Sequence, residues 1–346
     1  MSVTTSRKRP KVTICVPVYN GEQYLKAALD SILQQTYKDF ELYILDNRST
    51  DRTPEIARSY KDPRVHYVRN ARNLGSLGNW NRCTRTGSGA YVAIYHADDV
   101  YEPTILAREV AILERHKDVC CVFTNSTSID GKGRVIGQGK QPPHLIDRPL
   151  RFPEVYRYML ETFRSPYTAP TCIARRSAYR KTAPYSTSAT QAGDVDMYLR
   201  LTAVGGAYLI SDRLLRYRHS DGQASIRYST SYVKPNQLFK VIDKNRRLMK
   251  EPVPKRIWRT YEAYRDWDYT VCAINILAKP DRKRAERRQA RAYLRRSLTL
   301  RRVLRCYREP LLIGITLAML LAAHTGWGGK LAKRINDVRW KRHLAQ

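Results

Sequence analysis

Two carboxylates stand side by side, Asp98-Asp99, directly behind the apolar stretch Ala90-Tyr91-Val92-Ala93-Ile94-Tyr95. In a chain of 346 residues with formal net charge +32, adjacent acids run against the prevailing charge. If the apolar stretch is a strand, the pair lies at a strand end, where α/β proteins gather their ligands. Such a pair can hold a hard divalent cation, Mn2+ or Mg2+, against phosphate oxygens and offset charge on a diphosphate leaving group. The competing explanation is local: a loop Asp followed by a helix N-cap, because Glu102 and Pro103 open a helical pattern just downstream.

Other polar residues fall at comparable points. Asp46 follows the apolar run 41–45, and its carboxylate suits the imide N–H of uracil or thymine; equally, it can open a loop by bonding its own backbone. Tyr19-Asn20 either flank a base or make a turn. Arg72, before Asn73 and Gly75, either meets a base carbonyl or a phosphate or is simply solvated. Asp194 and Asp196 each could take a proton from an attacking hydroxyl, or could serve the dipole of the helix they begin. Asp194 lies nearer the preceding loop and is the better placed of the two. His219 is a further candidate metal ligand, or a structural member of its turn.

The elements that would position these residues alternate. Strands are predicted over 12–16, 41–45, 65–68, 91–95 and 119–124. Between them, Leu25, Ala28, Leu29, Ile32 and Leu33, then Thr53-Pro54, then 77–85, then Leu106, Val110 and Leu113 carry helical signals. This alternation predicts a Rossmann-like, mostly parallel α/β sheet with right-handed crossovers and flanking helices. The carboxyl ends of its strands would share one edge, bringing Tyr19-Asn20, Asp46 and Asp98-Asp99 to one crevice. From 126 the pattern loosens, with a loop over 131–143, a helix over 197–201 and short strands over 208–210 and 214–217. Three parts are expected: an alternating α/β part over 1–125, a looser part over 126–225 and a basic, mostly helical extension over 226–346.

Bulk properties narrow the partners. A pI near 10.1 implies an anion: nucleic acid, an anionic membrane surface or a phosphorylated substrate. A nucleic-acid-binding protein would explain the charge, but not acids at several strand ends. Residues 282–308 hold 12 Lys and Arg, and the uncharged apolar run 311–323 is short of the ~20 residues that span a bilayer. Together they have the composition of a peripheral anchor on an anionic surface, or of a solvated basic helix packed on the catalytic part. The seven cysteines form no C-x-x-C pair and sit largely in apolar runs. Reduced, buried thiols in a cytoplasmic protein are expected rather than a disulfide framework or a zinc site. The basic N-terminus leads into a run interrupted by Pro17, which makes a strand rather than a signal-peptide core.

Six segments occur in the order and spacing of a known family. They are VTICVPVYN (12–20), ILDNRSTDRT (44–53), Asn73-Leu74-Gly75, Asn79-Trp80-Asn81, YVAIYHADD (91–99) and GDVDMYLRL (193–201), followed by Tyr217-Arg218-His219 and Ser225. Over about residues 11–225 the chain resembles the family 2 glycosyltransferases of the GT-A fold. The resemblance implies inverting transfer of a sugar from a nucleotide-diphosphate donor to an acceptor hydroxyl, in cell-surface polysaccharide or glycolipid synthesis. It places Pro17, Tyr19, Asn20, Asp46 and Arg72 around the nucleoside, Asp98 at the ribose or metal, Asp99 on the metal and Asp194 as the base. His96 stands where the family often has another Asp, and Gly193 where a Glu frequently precedes the base. No Q-x-x-R-W element of processive synthases is present, so transfer of one or a few sugars is expected. A catalytically silent relative that only binds nucleotide-sugar is the nearest alternative. Sugar, linkage, acceptor and oligomeric state have no signal in the sequence, while Asp46 mildly favours UDP or dTDP.

Overall fold

The central strands are nearly continuous apolar runs, as strands covered on both faces must be. β1 (Val12–Val18) buries Val12, Ile14, Cys15 and Val16 completely and pairs in parallel with β2 (Phe40–Asp46) and with β4 (Tyr91–Ile94). β2 pairs in parallel with β3 (Val65–Arg69). The crossovers are α1 (Leu25–Leu33), α2 (Thr53–Ser59) and α3 (Gly75–Cys83). The structure is a computed structural model and describes residues 9–186, 192–220, 236–278 and 284–297.

Beyond β4 come β5 (Val100–Tyr101), α4 (Ile105–Arg115), β6 (Val119–Ile129), β7 (Val135–Gln138), β8 (Pro149–Leu150), α5 (Phe152–Thr162), β9 (Cys172–Arg175), α6 (Arg176–Lys181), α7 (Gly193–Val204) and β10 (Gly206–Arg218). The strands form one sheet in the order β3-β2-β1-β4-β9-β6-β10-β5, with β7 on β6 and β8 on β10. The expected parallel half is present. β9 then enters antiparallel between β4 and β6, and β6 and β10 are parallel to each other. β5, β8 and β9 are two to four residues long, too short for any periodicity to announce them. The two short strands expected over 208–210 and 214–217 are one strand, β10. Its register slips between Ile210 and Arg213 and again before Leu215, where Ser211-Asp212-Arg213 interrupts the apolar pattern.

The described residues fall into two compact units, one from 9–159, 164–186, 192–220 and 241–251, the other from 160–163, 236–240, 252–278 and 284–297. The first holds the sheet. In the second, Tyr261 donates to the Phe239 carbonyl at 3.1 Å, and the ring of Phe163 lies 4.5 Å from that of Tyr264. Two helices there, Lys255–Ala278 and Arg284–Ser297, meet through Tyr269 and Tyr293, whose rings are 5.4 Å apart. The run 311–323 lies outside the described residues. No helix among those described is long and apolar enough to cross a membrane. Cys15, Cys83, Cys120, Cys121, Cys172 and Cys272 are buried free thiols.

At the amino ends of β1 and β4 the backbone is drawn tight by a buried guanidinium. Arg176 donates to the carbonyls of Gly89 at 2.5 Å and Thr86 at 3.0 Å and to Thr13 Oγ1 at 2.8 Å. Gly89 donates its own N–H to Thr13 Oγ1 at 2.9 Å, so close that an added Cβ would stand 2.5 Å from the Thr13 nitrogen and 2.7 Å from the Val12 carbonyl carbon. Both are main-chain atoms of a central strand and cannot give way. Gly89→Ala is therefore expected to cost about 2 kcal/mol or more. It should appear as a lower urea midpoint at unchanged slope, and a wild-type midpoint would contradict this packing.

Candidate active site

The parallel strands end on one edge, and the loops there are held by side chains rather than by regular structure. Asn20 sits in the left-handed region at φ 51°. Its N–H donates to Ser49 Oγ and its Oδ1 accepts from the Thr50 N–H, each at 2.9 Å. Gly21 N–H donates to Thr53 Oγ1 at 2.8 Å. The loops after β1 and β2 are thus stitched into one surface, with Pro17 opposite Leu45 in the ladder and Tyr19 exposed at its front. Asp46 is wholly buried beneath them. Its Oδ1 accepts the Ser49 N–H at 2.8 Å, and its Oδ2 accepts Tyr67 OH at 2.7 Å with Arg69 Nε at 3.4 Å. A carboxylate accepts about four bonds, so these contacts do not saturate it. Arg72 is exposed and has no ion pair among the described residues.

A chain of asparagines runs behind this surface. Asn47 Oδ1 accepts from Asn70 Nδ2 and from the Leu74 N–H, both at 2.8 Å, while its Nδ2 donates to Asn73 Oδ1 at 2.8 Å and to the Gly75 carbonyl at 3.2 Å. Asn70 also donates to Asn79 Oδ1 at 3.0 Å, and Asn79 donates to the Leu45 carbonyl at 2.8 Å. Amides can donate and accept at once, which lets a buried loop with few backbone partners satisfy itself.

The carboxylate pair follows β4. α4 begins at Ile105 with Thr104 before it, so neither Asp98 nor Asp99 caps that helix. Asp99 is 1% exposed, and its Oδ1 accepts the Arg218 N–H at 2.7 Å. Its Oδ2 is buried with no hydrogen-bond partner among the described residues, and His96 Nδ1 lies 4.0 Å away. Burial and the neighbouring Asp98 charge drive the Asp99 carboxyl well above the usual carboxylate range, opposed by the Arg218 N–H and guanidinium. Burial holds His96 below the ordinary histidine value, against the pull of Asp98, so its ring nitrogens keep a free lone pair. Ligand atoms of His96, Asp98 and Asp99 all lie within 4.8 Å of one another. A buried carboxylate oxygen without a partner is costly, and a cation beside it removes the cost. Two carboxylates and an imidazole suit Mn2+, and the oxygens suit Mg2+. The residues present fit a divalent metal.

Tyr101 sets the shape of this loop. Its hydroxyl accepts the His96 N–H at 2.5 Å and donates to the Pro170 carbonyl at 3.2 Å, and its ring stacks on Tyr95 at 4.1 Å. His219 follows β10 but stands outside the cluster: its Nε2 lies 3.1 Å from Ser128 Oγ and its ring is edge-on to Tyr217.

Asp194 and Asp196 both occupy the first turn of α7, four residues earlier than the sequence pattern begins the helix, and their surroundings separate them. Asp196 is tied to Arg200 at 3.1 Å, Lys244 at 2.9 Å and Asn245 Nδ2 at 2.8 Å. Burial would raise it, yet Lys244 and Asn245 hold its carboxyl below the usual range. Asp194 accepts the Val195 N–H at 2.8 Å and has its own N–H beside it, and burial pushes its pKa up to about 6. The segment ahead of it is clasped by Asn81, whose Nδ2 donates to the Tyr185 carbonyl at 2.9 Å and whose Oδ1 accepts the Tyr185 N–H at 2.7 Å. Trp80 stacks on His96 at 5.8 Å and meets the Tyr185 ring edge-on at 5.5 Å.

The mostly parallel sheet thus carries a metal-competent carboxylate pair at its carboxyl edge. The chain belongs to glycosyltransferase family 2: the family model, "Glycosyl transferase family 2", matches residues 13–183. An uncharacterized glycosyltransferase of Methanocaldococcus jannaschii is 29% identical over 215 residues, 61% of this chain and 71% of that protein. A chondroitin synthase of Escherichia coli is 32% identical over 205 residues, 58% of this chain but 28% of the larger protein. Among solved structures, S. aureus TarS 1-349 in complex with UDP-GlcNAc superposes with a TM-score of 0.58 at 16% identity, over 96% of this chain and 92% of that one. The mannosyltransferase PcManGT from Pyrobaculum calidifontis, in complex with GDP-Man and Mn2+, gives 0.52 at 17% identity, over 96% and 87%. These two likenesses are of fold.

Sequence reasoning did not assign roles to Asn47, Asn70, Tyr101 or Arg218. The asparagines had a signal, since Asn47 and Asn70 each directly follow a strand. Asn47→Ala would strand the Asn70 amide and the Leu74 N–H in a buried site. An expected loss of about 2 kcal/mol in unfolding free energy follows, measurable by urea titration, with weaker nucleotide binding by calorimetry. Wild-type values for both would remove the asparagines from the architecture of the site.

Proposed function

We propose that this protein transfers a sugar from a nucleoside-diphosphate sugar to an acceptor hydroxyl, with inversion at the anomeric carbon. The observation that carries this is Asp99, a buried carboxylate with one unpartnered oxygen beside Asp98 and His96, on the edge where the loops after β1 and β2 also end. Asp99 would hold Mn2+ or Mg2+ with His96 and Asp98 close by; His219 would join only if its ring left Ser128. The bound ion would supply positive charge to the departing diphosphate. Pro17, Tyr19, Asn20, Asp46 and Arg72 would enclose the nucleoside, with Asp46 offering its remaining lone pairs to an imide N–H, which favours UDP or dTDP. Asp98 would reach the ribose.

Asp194 would act as the single base. It takes the acceptor hydroxyl proton as that oxygen attacks the anomeric carbon, while the bond to the diphosphate breaks and its electron pair leaves with the phosphate. One displacement inverts the centre, as it does in glycoside hydrolysis by water. A carboxyl with a pKa of about 6 is ionised at neutral pH yet more basic than an ordinary aspartate. Its folded value is raised, so it is competent above about 6 and protonated below. On the acid side kcat/KM is expected to fall about tenfold per pH unit. Asp194→Asn should lower kcat by about 10²–10⁴ while keeping nucleotide-sugar binding and raising Tm at pH 7, because a charge no longer sits in a desolvated site. Asp99→Ala should abolish metal-dependent turnover. Donor consumption unchanged in both variants would refute these site assignments; a wild type that binds donor without consuming it would be a binding-only relative.

We further propose work at an anionic membrane surface, in the synthesis of a cell-surface polysaccharide or glycolipid on the cytoplasmic side. The support is the basic helix Arg284–Ser297, where Arg284 and Arg288 are exposed, together with the basic composition of 282–308. Each cation near such a surface contributes roughly 1 kcal/mol. Arg284→Gln with Arg288→Gln should therefore weaken binding to phosphatidylserine vesicles by roughly 30-fold in a co-sedimentation assay. Unchanged binding would argue for a solvated helix instead.

A further inference from the structure

We propose that Arg218 is the positioning residue of the metal loop: it fixes the Asp98-Asp99 main chain so that Asp99 offers its second oxygen to the cation. The inference rests on the metal reading of Asp99 given above.

One residue grips the pair twice. The Arg218 N–H holds Asp99 Oδ1 at 2.7 Å, which leaves Oδ2 as the oxygen without a partner among the described residues. Its side chain turns back and donates from Nε to the Asp98 carbonyl at 2.8 Å. The same guanidinium donates from Nη1 to the carbonyls of Asp130 at 3.1 Å and Gly131 at 3.3 Å, in the turn after β6. Its plane lies 4.5 Å from the ring centroid of Tyr24, just ahead of α1. Arg218 is 6% exposed, so these contacts are made away from competing water. Three segments far apart in sequence are pinned to the end of β10, and the metal loop is one of them.

The geometry calls for arginine. A guanidinium presents five N–H donors in a rigid plane and can bond divergent carbonyls while stacking on an aromatic ring. A lysine ammonium has donors but no plane, and cannot keep the Asp98 carbonyl, the turn carbonyls and the Tyr24 ring together. Lysine preserves the charge and the main-chain N–H, so Arg218→Lys removes the fork alone.

A matched control exists in the same sheet. Arg176 is 9% exposed and also binds two carbonyls and a side-chain oxygen, but at the amino ends of β1 and β4, the edge opposite the metal loop. A general loosening of the sheet would affect both variants alike. A loss of positioning would not.

The test compares wild type, Arg218→Lys and Arg176→Lys in the full-length chain. Mn2+ uptake is measured by electron paramagnetic resonance of the free ion, Tm by calorimetry, and the Mn2+ dependence of donor turnover separately. Arg218→Lys is expected to raise the Mn2+ Kd at least tenfold and the KM for Mn2+ in parallel, with kcat largely recovered at saturating Mn2+. Arg176→Lys is expected to lower Tm at an unchanged Mn2+ Kd. Equal Mn2+ uptake by wild type and Arg218→Lys overturns the inference alone, as does an equal loss in both variants. A wild type that takes up no Mn2+ overturns the metal reading and the inference with it. Should Arg218→Lys not fold, Tyr24→Leu removes the ring behind the guanidinium. A raised Mn2+ Kd in that variant sustains the inference, and a wild-type Kd overturns it.

Discussion

A carboxyl group held out of water at the edge of a sheet is the constraint around which this site is arranged. Asp99 is almost fully buried, a second acid precedes it, and only one of its oxygens has a described partner. Water would solvate that oxygen freely; the folded chain withholds it. Such an arrangement persists only where the surroundings over-determine it. The surroundings do so: Tyr101 fixes the start of the loop from below, Trp80 covers its histidine, and the end of β10 closes it from the side.

The loops after β1, β2 and β3 answer to a different demand. Loops that approach a ligand cannot be helices or strands, so their backbone groups need other partners. Here side-chain amides provide them. Asn20 joins the loops after β1 and β2, and Asn47, Asn70 and Asn79 bind the loop after β3 to the carbonyl end of β2. Asn81 does the same for the stretch before α7. An irregular surface made this way is as well connected as a sheet.

The parallel half of the fold was legible because its strands are buried on both faces and its helices are amphipathic. β9 was not, since four residues between two parallel strands carry no period. β10 looked like two strands because polar residues occupy its slipped register. In the site, the carboxylate pair was visible as a charge anomaly. His96 looked like a weakness where an acid is common, whereas the backbone places its ring within reach of both carboxylates. Sequence preferred Asp194 to Asp196 only for its place nearer the loop; Arg200, Lys244 and Asn245 separate the two chemically, and all three lie outside the motif's first turn. Arg218 stood in the last element of the resemblance, but nothing local marked it, among 63 Lys and Arg residues, as a buried one.

Trp80 has a consequence of its own. One face of the indole lies against His96, and its edge meets Tyr185 in the stretch leading toward α7. A single rigid ring is therefore a shared wall between the place where the donor's charge would be met and the place where the acceptor's proton would go. A rotation of His96 would press on the indole and, through it, on Tyr185, because close-packed interiors transmit strain. In the proposed reaction, donor side and acceptor side would share one indole.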